Sequence, residues 1–158
     1  MENGLSPVMN SKTEILILGS APSKKSLELQ QYYANKGNQF WNIIFEILSV
    51  NDPIEYSKRV KILLEHHIGL WDVYDTFNRD GSLDSQFRST TLNDFHEILT
   101  TVPIKLIIAN GKKSYGEIQK NALFQQIPIL YCPSTSGANN GQSQLRKDNW
   151  TEALAINK

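Results

Sequence analysis

The chain is poor in the residues that build covalent or metal scaffolds. It has one cysteine, Cys132, and three histidines, His66, His67 and His96, in 158 residues. One cysteine excludes an internal disulfide and any four-cysteine zinc or iron–sulfur site. His66 and His67 are adjacent, so they cannot share a helix face, and no third ligand type lies near them; no metal site and no cofactor is expected. Charge of one sign is also missing. Sixteen Lys and Arg balance sixteen Asp and Glu, so there is no global basic field of the kind many nucleic-acid binders carry. No apolar run approaches the roughly 20 residues that span a bilayer. The opening MENGLSPVMNSK lacks a basic-then-apolar signal pattern, and no G-x-S-x-G nucleophile elbow occurs. Repeats and linkers are absent as well. The expectation is a cytoplasmic, monomeric single domain over residues 1–158, with 1–12 as an extended arm around Pro7, no membrane contact and no obligate protein partner.

What is present is an ordinary globular composition, 40% apolar and 20% charged, on a chain long enough for a substantial core. It is organised around residues 15–41, ILILGSAPSKKSLELQQYYANKGNQFW. Ile15-Leu16-Ile17-Leu18 is a short continuous apolar run, the pattern of a strand buried on both faces. Gly19 ends it, Pro22 prevents a simple helical continuation, and the small residues Ser20, Ala21 and Ser23 let the backbone come close to a ligand. Open α/β sheets bind ligands at the carboxyl ends of their strands, which places the candidate site here.

Further along, Asn38 is positioned to cap a helix over Phe40, Trp41, Ile43, Ile44, Ile47 and Leu48. Asn51-Asp52-Pro53 reads as the start of the next helix, with Tyr56, Val60, Leu63 and Leu64 at helical spacing. A second strand is predicted over residues 68–73. Residues 74–91 are polar and aperiodic, with Asp80-Gly81 as a turn signal, and read as one long functional loop. Thr91 or Asn93 opens a helix over Phe95, Ile98 and Leu99. A third strand spans 105–109 and ends at Asn110-Gly111, followed by a helix through Tyr115 and Ile118. A fourth strand, 127–132, leads into the loop PSTSGANNG, and a last helix runs from about 143 to 155. Strands alternating with helices predict βαβ units, a mostly parallel sheet and helices on both faces. The basic pairs Lys24-Lys25, Lys58-Arg59, Lys112-Lys113 and Arg146-Lys147 read first as solvated surface, those beside strand ends being the better candidates for contact with a ligand.

The stretch Gly19, Ser20, Pro22, Ser26, Leu27, Tyr32, Tyr33, Ala34, Asn38, Phe40 and Trp41 resembles the G-S-x-P…S-L…Y-Y-A-x-x-x-N-x-F-W block of the uracil-DNA glycosylase superfamily. The resemblance is to its hypoxanthine-DNA (deoxyinosine) glycosylase branch, related to the mismatch-specific glycosylases. It continues through Gly69 to Val73, Gly81 to Ser85, Asn93-Asp94-Phe95, Asn110-Gly111-Lys112 and Pro133 to Ser136, and through Gly4-Leu5 and Pro7-Val8 in the arm. It implies a three-layer α/β/α sandwich around a central, mostly parallel four-stranded sheet. It also implies a monofunctional glycosylase acting on double-stranded DNA that contains a deaminated base, hypoxanthine first, with uracil and xanthine as further candidates.

Such chemistry needs a flipped nucleotide, a positioned water on one side of the sugar and hydrogen-bond donors on the departing base. Other branches hold the water with Asp or Asn two residues after the motif glycine. Here that position is Ala21, and the resemblance implies that Asn38 takes over catalysis; a helix cap alone is the plainer alternative. The base pocket is assigned to Gly19, Ser20, Ala21, Tyr33, Phe40 and Asp72. Phe40 matches the aromatic that stacks on the flipped base. Asp72 would accept from a base N–H such as hypoxanthine N1–H, or cap the loop after it. DNA contact is assigned to Ser23, Lys112 and the loop residues Ser134, Thr135, Ser136, Gly137, Ala138 and Asn139, with Gly137-Ala138-Asn139 at the tip. The branch commonly has Pro at position 137, His at 35 and Gly at 23, where this chain has Gly, Asn and Ser. Two other functions fit the same residues: a DNA-lesion binder that lost activity, suggested by Ala21, and an enzyme acting on free nucleotides or nucleosides.

Overall fold

A computed structural model describes residues 1–79 and 87–155. The apolar run after Glu14 forms strand β2 (Ile15–Gly19), whose five residues are all buried. It pairs in parallel on one side with β3 (Ile68–Asp72) and on the other with β6 (Leu106–Asn110), and β6 pairs in parallel with β7 (Ile129–Cys132). The order β3-β2-β6-β7 puts the glycine-ended strand inside the sheet, which is why it needs no polar face. Its side chains alternate between two cores. Ile15 and Ile17 join Phe40, Trp41, Ile44, Leu63 and Trp150 on one face; Leu16 and Leu18 join Tyr74, Phe77, Phe95, Ile118 and Phe124 on the other.

The first face is covered by α2 (Phe40–Leu48), α3 (Tyr56–Glu65) and α6 (Ser143–Ala155). The second is covered by α5 (Lys112–Lys120) and α4 (His96–Thr101). This is the predicted layered α/β arrangement with a parallel four-stranded sheet.

The polar segment after β3 departs from expectation. It is no continuous loop: β4 (Tyr74–Arg79) and β5 (Phe87–Leu92) form an antiparallel pair, and β1 (Glu2–Asn3) from the amino-terminal arm adds to β4. The expected Asp80-Gly81 turn and the block 81–85 lie outside the described residues. The arm is held at further points, with Val8 bridging Leu70 and the Tyr32 hydroxyl donating to Ser6 O at 2.9 Å.

Several helix starts also shift. A helix absent from the sequence reading, α1 (Lys24–Leu29), follows Pro22, with the Ser23 hydroxyl accepting from the Ser26 N–H as its cap. Helix α3 begins at Tyr56, because Asp52 turns the chain by accepting from Ile54 N at 2.8 Å and holds Arg59 at 2.7 Å. Asn93 opens no helix. Its carboxamide donates to Asp72 O at 2.8 Å and Tyr74 O at 3.3 Å, fixing the bend between β3 and β4.

Candidate functional site

The carboxyl ends of β2, β3, β6 and β7 open onto one cavity of about 880 Å³. Its base is set by Gly19. A Cβ built there would sit 2.7 Å from Asp72 Oδ1, so only glycine lets the carboxylate at the end of β3 pack against the end of β2. Asp72 is buried and lines the cavity. The backbone leaving β2 is held by Val73 N and Tyr74 N, which donate to Gly19 O and Ser20 O at 2.9 and 3.0 Å. Ser20, Ala21 and Ser23 follow along the wall, although the Ser23 hydroxyl oxygen is engaged by the start of α1.

The opposite wall comes from residues 32–38. Tyr33 has φ 57, a left-handed backbone that a bulky residue adopts only when its surroundings hold it there. That turn lays its ring on Phe40, with centroids 4.2 Å apart and planes 26° apart. Phe40 is 1% exposed, wedged edge-on between Trp41 and Trp150. This corrects the assignment of Phe40 to the pocket surface. Its helix position points it into the core, and Tyr33 presents the aromatic face that lines the cavity. The Tyr33 hydroxyl accepts from Asn110 Nδ2 at 3.2 Å. Burial, reinforced by the Asp72 charge, pushes the phenol well above its ordinary value, with the Asn110 bond opposing; it is a neutral hydroxyl with its proton to give.

Asn38 also lines the cavity. The helix N-cap position falls on Gln39, and Asn38 acts one residue earlier, its Oδ1 accepting from Phe40 N at 2.9 Å. That bond fixes the carboxamide: one lone pair of Oδ1 is taken, and the second lone pair and the NH₂ group are left for other partners.

Asn110, at the end of β6, joins the walls. It exchanges two bonds with Thr135, Asn110 Nδ2 to Thr135 Oγ1 at 3.1 Å and Thr135 N to Asn110 Oδ1 at 3.0 Å, while also reaching Tyr33. The sequence reading took Asn110 as a strand terminus and an anchor of the resemblance, and gave it no site role. Its position at the carboxyl end of a strand beside β2 was the signal for a site role. Thr135, expected at the DNA surface, is 1% exposed. Its carbonyl accepts from Gln39 N at 2.9 Å, so it is a strut between the loop and α2.

Ser134 and Ser136 differ from it. Their hydroxyl oxygens accept from Ser136 N at 3.1 Å and Ala138 N at 3.3 Å, which leaves both hydroxyl protons available to an outside acceptor. Gly137 and Ala138 are exposed at the start of a 3-10 turn, Gly137–Gln142. Asn139, expected at the tip, folds back to donate to Ser134 O at 2.9 Å. Lys112 and Lys113, at the start of α5, stand exposed on the rim. Behind the loop, Trp150 Nε1 donates to Pro133 O at 2.9 Å. Arg146, read from sequence as surface, is 1% exposed.

Every predicted site residue except Phe40 therefore lines one cavity, together with Asn110, Lys113 and Tyr131, which the sequence reading did not assign. Among the described residues no group of three His, Cys, Asp or Glu could hold a metal ion. The lining combines an amide, a carboxylate, a neutral phenol and a serine loop, a set suited to binding a polar planar group beside an anionic backbone.

Known proteins resemble this chain over nearly its whole length. A hypoxanthine DNA glycosylase of Methanosarcina acetivorans is 39% identical over 152 residues, covering 95% of this chain and 96% of the relative. One from Methanosarcina barkeri is 38% identical over 157 residues, covering 97% and 98%. The solution NMR structure of a Methanosarcina acetivorans protein classed with the uracil DNA glycosylases superposes with a TM-score of 0.85 at 39% identity, over 95% of this chain and 94% of that one. The family model of the uracil DNA glycosylase superfamily matches residues 6–157, and to that superfamily this chain belongs.

Proposed function

We propose that the chain is a DNA glycosylase that takes a deaminated base, hypoxanthine first, out of duplex DNA and hydrolyses its N-glycosidic bond. The observation that carries this reading is the meeting of Asn38, Asp72 and the serine loop around one cavity, in a chain whose near-full-length relatives are named hypoxanthine DNA glycosylases. In the reaction a water oxygen bonds to C1′, the C1′–N bond breaks, and the base leaves with the bonding pair and gains a proton. Free base and an abasic sugar remain.

Each wall has a task in that step. Asn38, its amide already oriented by Phe40 N–H, accepts from the attacking water through the second lone pair of Oδ1. The Tyr33 hydroxyl, which accepts from Asn110, donates its own proton toward the departing base. Asp72 reads the base edge. Hypoxanthine, xanthine and uracil each carry a ring N–H that a carboxylate can accept. Adenine offers a lone pair at N1 and would set acceptor against acceptor, a discrimination built from repulsion. Guanine also has an N–H at N1, but in a normal pair it is harder to extrude than a mismatched base. At the cavity rim, Ser134, Ser136 and the amino end of α5 face the phosphates.

A panel of duplexes containing hypoxanthine, xanthine, uracil or adenine, assayed for abasic product with enzyme in excess, tests this. Cleavage of the hypoxanthine duplex with adenine untouched is expected. Binding to the deoxyinosine duplex without abasic product would favour the lesion binder that Ala21 suggests. Neither binding nor product would remove DNA as the substrate.

A further inference from the structure

We propose, building on the DNA-gripping role of loop 134–140, that the interior guanidinium of Arg146 is the charge this loop presents to a DNA phosphate, and that the phosphate is its counter-ion. Arg146 is 1% exposed, and among the described residues no carboxylate pairs with it. Its partners are neutral: Nη1 donates to Ser134 O at 3.2 Å and Ser136 O at 3.4 Å, and Nη2 to Asn140 Oδ1 at 3.0 Å, while Nε is buried with no partner. The neighbouring acid Glu46 is taken by Lys147. A buried cation normally needs an anion beside it. The position also works against stability taken alone. Arg146 lies in the first turn of the 13-residue α6, a turn without an acidic residue, where the helix dipole is already positive and acids are favoured.

Both oddities make sense if the anion arrives with the substrate. Arg146 holds the carbonyl groups of Ser134 and Ser136 from behind, and those two residues line the cavity with unused hydroxyl protons. A trans peptide sets its C=O and N–H in opposite directions, so drawing Ser136 O inward turns the Gly137 N–H outward. The loop thus offers donors to the outside with a fixed positive charge and a helix amino terminus directly behind them. A guanidinium stays protonated throughout the working pH range, and an interior charge is screened by salt less than the exposed rim lysines. This supplies local charge for phosphate binding in a chain whose formal net charge is zero.

The test compares the parent with Arg146→Met and Arg146→Lys. Binding to a duplex bearing an uncleavable abasic analogue is followed by anisotropy across a salt series, with single-turnover cleavage at saturating enzyme measured beside it. Arg146→Met should bind at least about tenfold more weakly, and its log–log salt slope should shrink by roughly 0.9, the value for one phosphate. Its saturated cleavage rate should stay within about threefold of the parent. Arg146→Lys, which keeps the charge and loses the fork, should keep the parent slope. Weaker binding of the Met variant with the parent slope would mean only lost loop shape and would overturn the assignment, as would unchanged binding. Should the Met variant not fold, the Arg146 Nε–H resonance of the parent, identified by its loss in Arg146→Lys, must move when duplex is added; a stationary resonance overturns it equally. A parent that neither binds nor cleaves deoxyinosine duplex would instead refute the glycosylase reading itself.

Discussion

Replacing Asn38 separates its two jobs. In the structure its Oδ1 accepts one N–H, that of Phe40 at 2.9 Å, and the rest of the amide faces the cavity. Asn38→Ala removes an acceptor at a helix start, which typically costs about 1 kcal/mol, or roughly 2–4 °C of melting temperature for a chain of this size. If Asn38 also positions the attacking water, the rate loss belongs to a different scale. Removing a preorganised group that acts on the transition state costs about 2.7–4 kcal/mol, and Ala21 has no polar atom to replace it. Single-turnover cleavage of a deoxyinosine duplex should therefore fall at least about tenfold, while affinity for an uncleavable abasic duplex stays near the parent. Asn38→Asp is the sharper variant. It keeps the acceptor for Phe40 N–H, so its melting temperature should match the parent, and it retains an oxygen for the water, so part of the activity should survive. If Ala and Asp variants both cleave at the parent rate, Asn38 is a turn residue and the water is held elsewhere.

Gly19→Ala should displace the Asp72 carboxylate, which a new methyl would meet at 2.7 Å. A stability loss of about 1–3 kcal/mol with a cleavage loss larger than that explains is expected, and parent-like turnover in a circular-dichroism-verified variant would refute the packing argument. Replacing Ser134 and Ser136 together by Ala should weaken binding to all duplexes alike if, as proposed, these hydroxyls contact phosphate and not base; a changed order of lesions in the cleavage panel would contradict it. Burial pushes the Cys132 thiol up to about 12, so it ionises first in the unfolded chain. Its contribution is complete below about pH 8.5 and is lost as pH climbs toward the folded value. Urea midpoints should drop between about pH 8 and about pH 9.5, and less in Cys132→Ala; an equal drop in both would show that the thiol is not responsible.

The parallel sheet was legible because its strands are buried on both faces, so Ile15 to Leu18 and Leu106 to Ala109 are continuous apolar runs. The antiparallel pair of β4 and β5 was not. Its pairing shifts register between Tyr74 and Thr76 and again between Asn78 and Arg79, which breaks the two-residue period. Strand β5 lies at the sheet edge with its Ser and Thr side chains exposed, leaving no apolar face to read. The site was legible wherever one residue type serves one place, as with Gly19 and Asp72. It was not legible where the partner is remote in sequence: Asn110 meets Tyr33 across 77 positions, and Arg146 enters the interior only because residues 134–140 fold around it. Phe40 carried the pattern of a stacking residue, and only the left-handed turn at Tyr33 shows which ring reaches the cavity.

Gly37 and Gly137 come from opposite halves of the chain and meet at the cavity mouth, where a Cβ on Gly137 would lie 3.2 Å from Gly37 O and one on Gly37 3.5 Å from Gly137 Cα. The hydrogen bond from Asn140 Nδ2 to Gly37 O, 3.1 Å long, crosses the same seam. The turn that carries Asn38 and the serine loop are thus fastened rim to rim, and neither position can drift alone over generations. A lineage that places a side chain at 137 must move the strip around 37 outward by a few tenths of an ångström. That motion would reach Asn38, the very next residue, so a substitution on one rim of the cavity would be inherited as a change at the proposed catalytic position on the other.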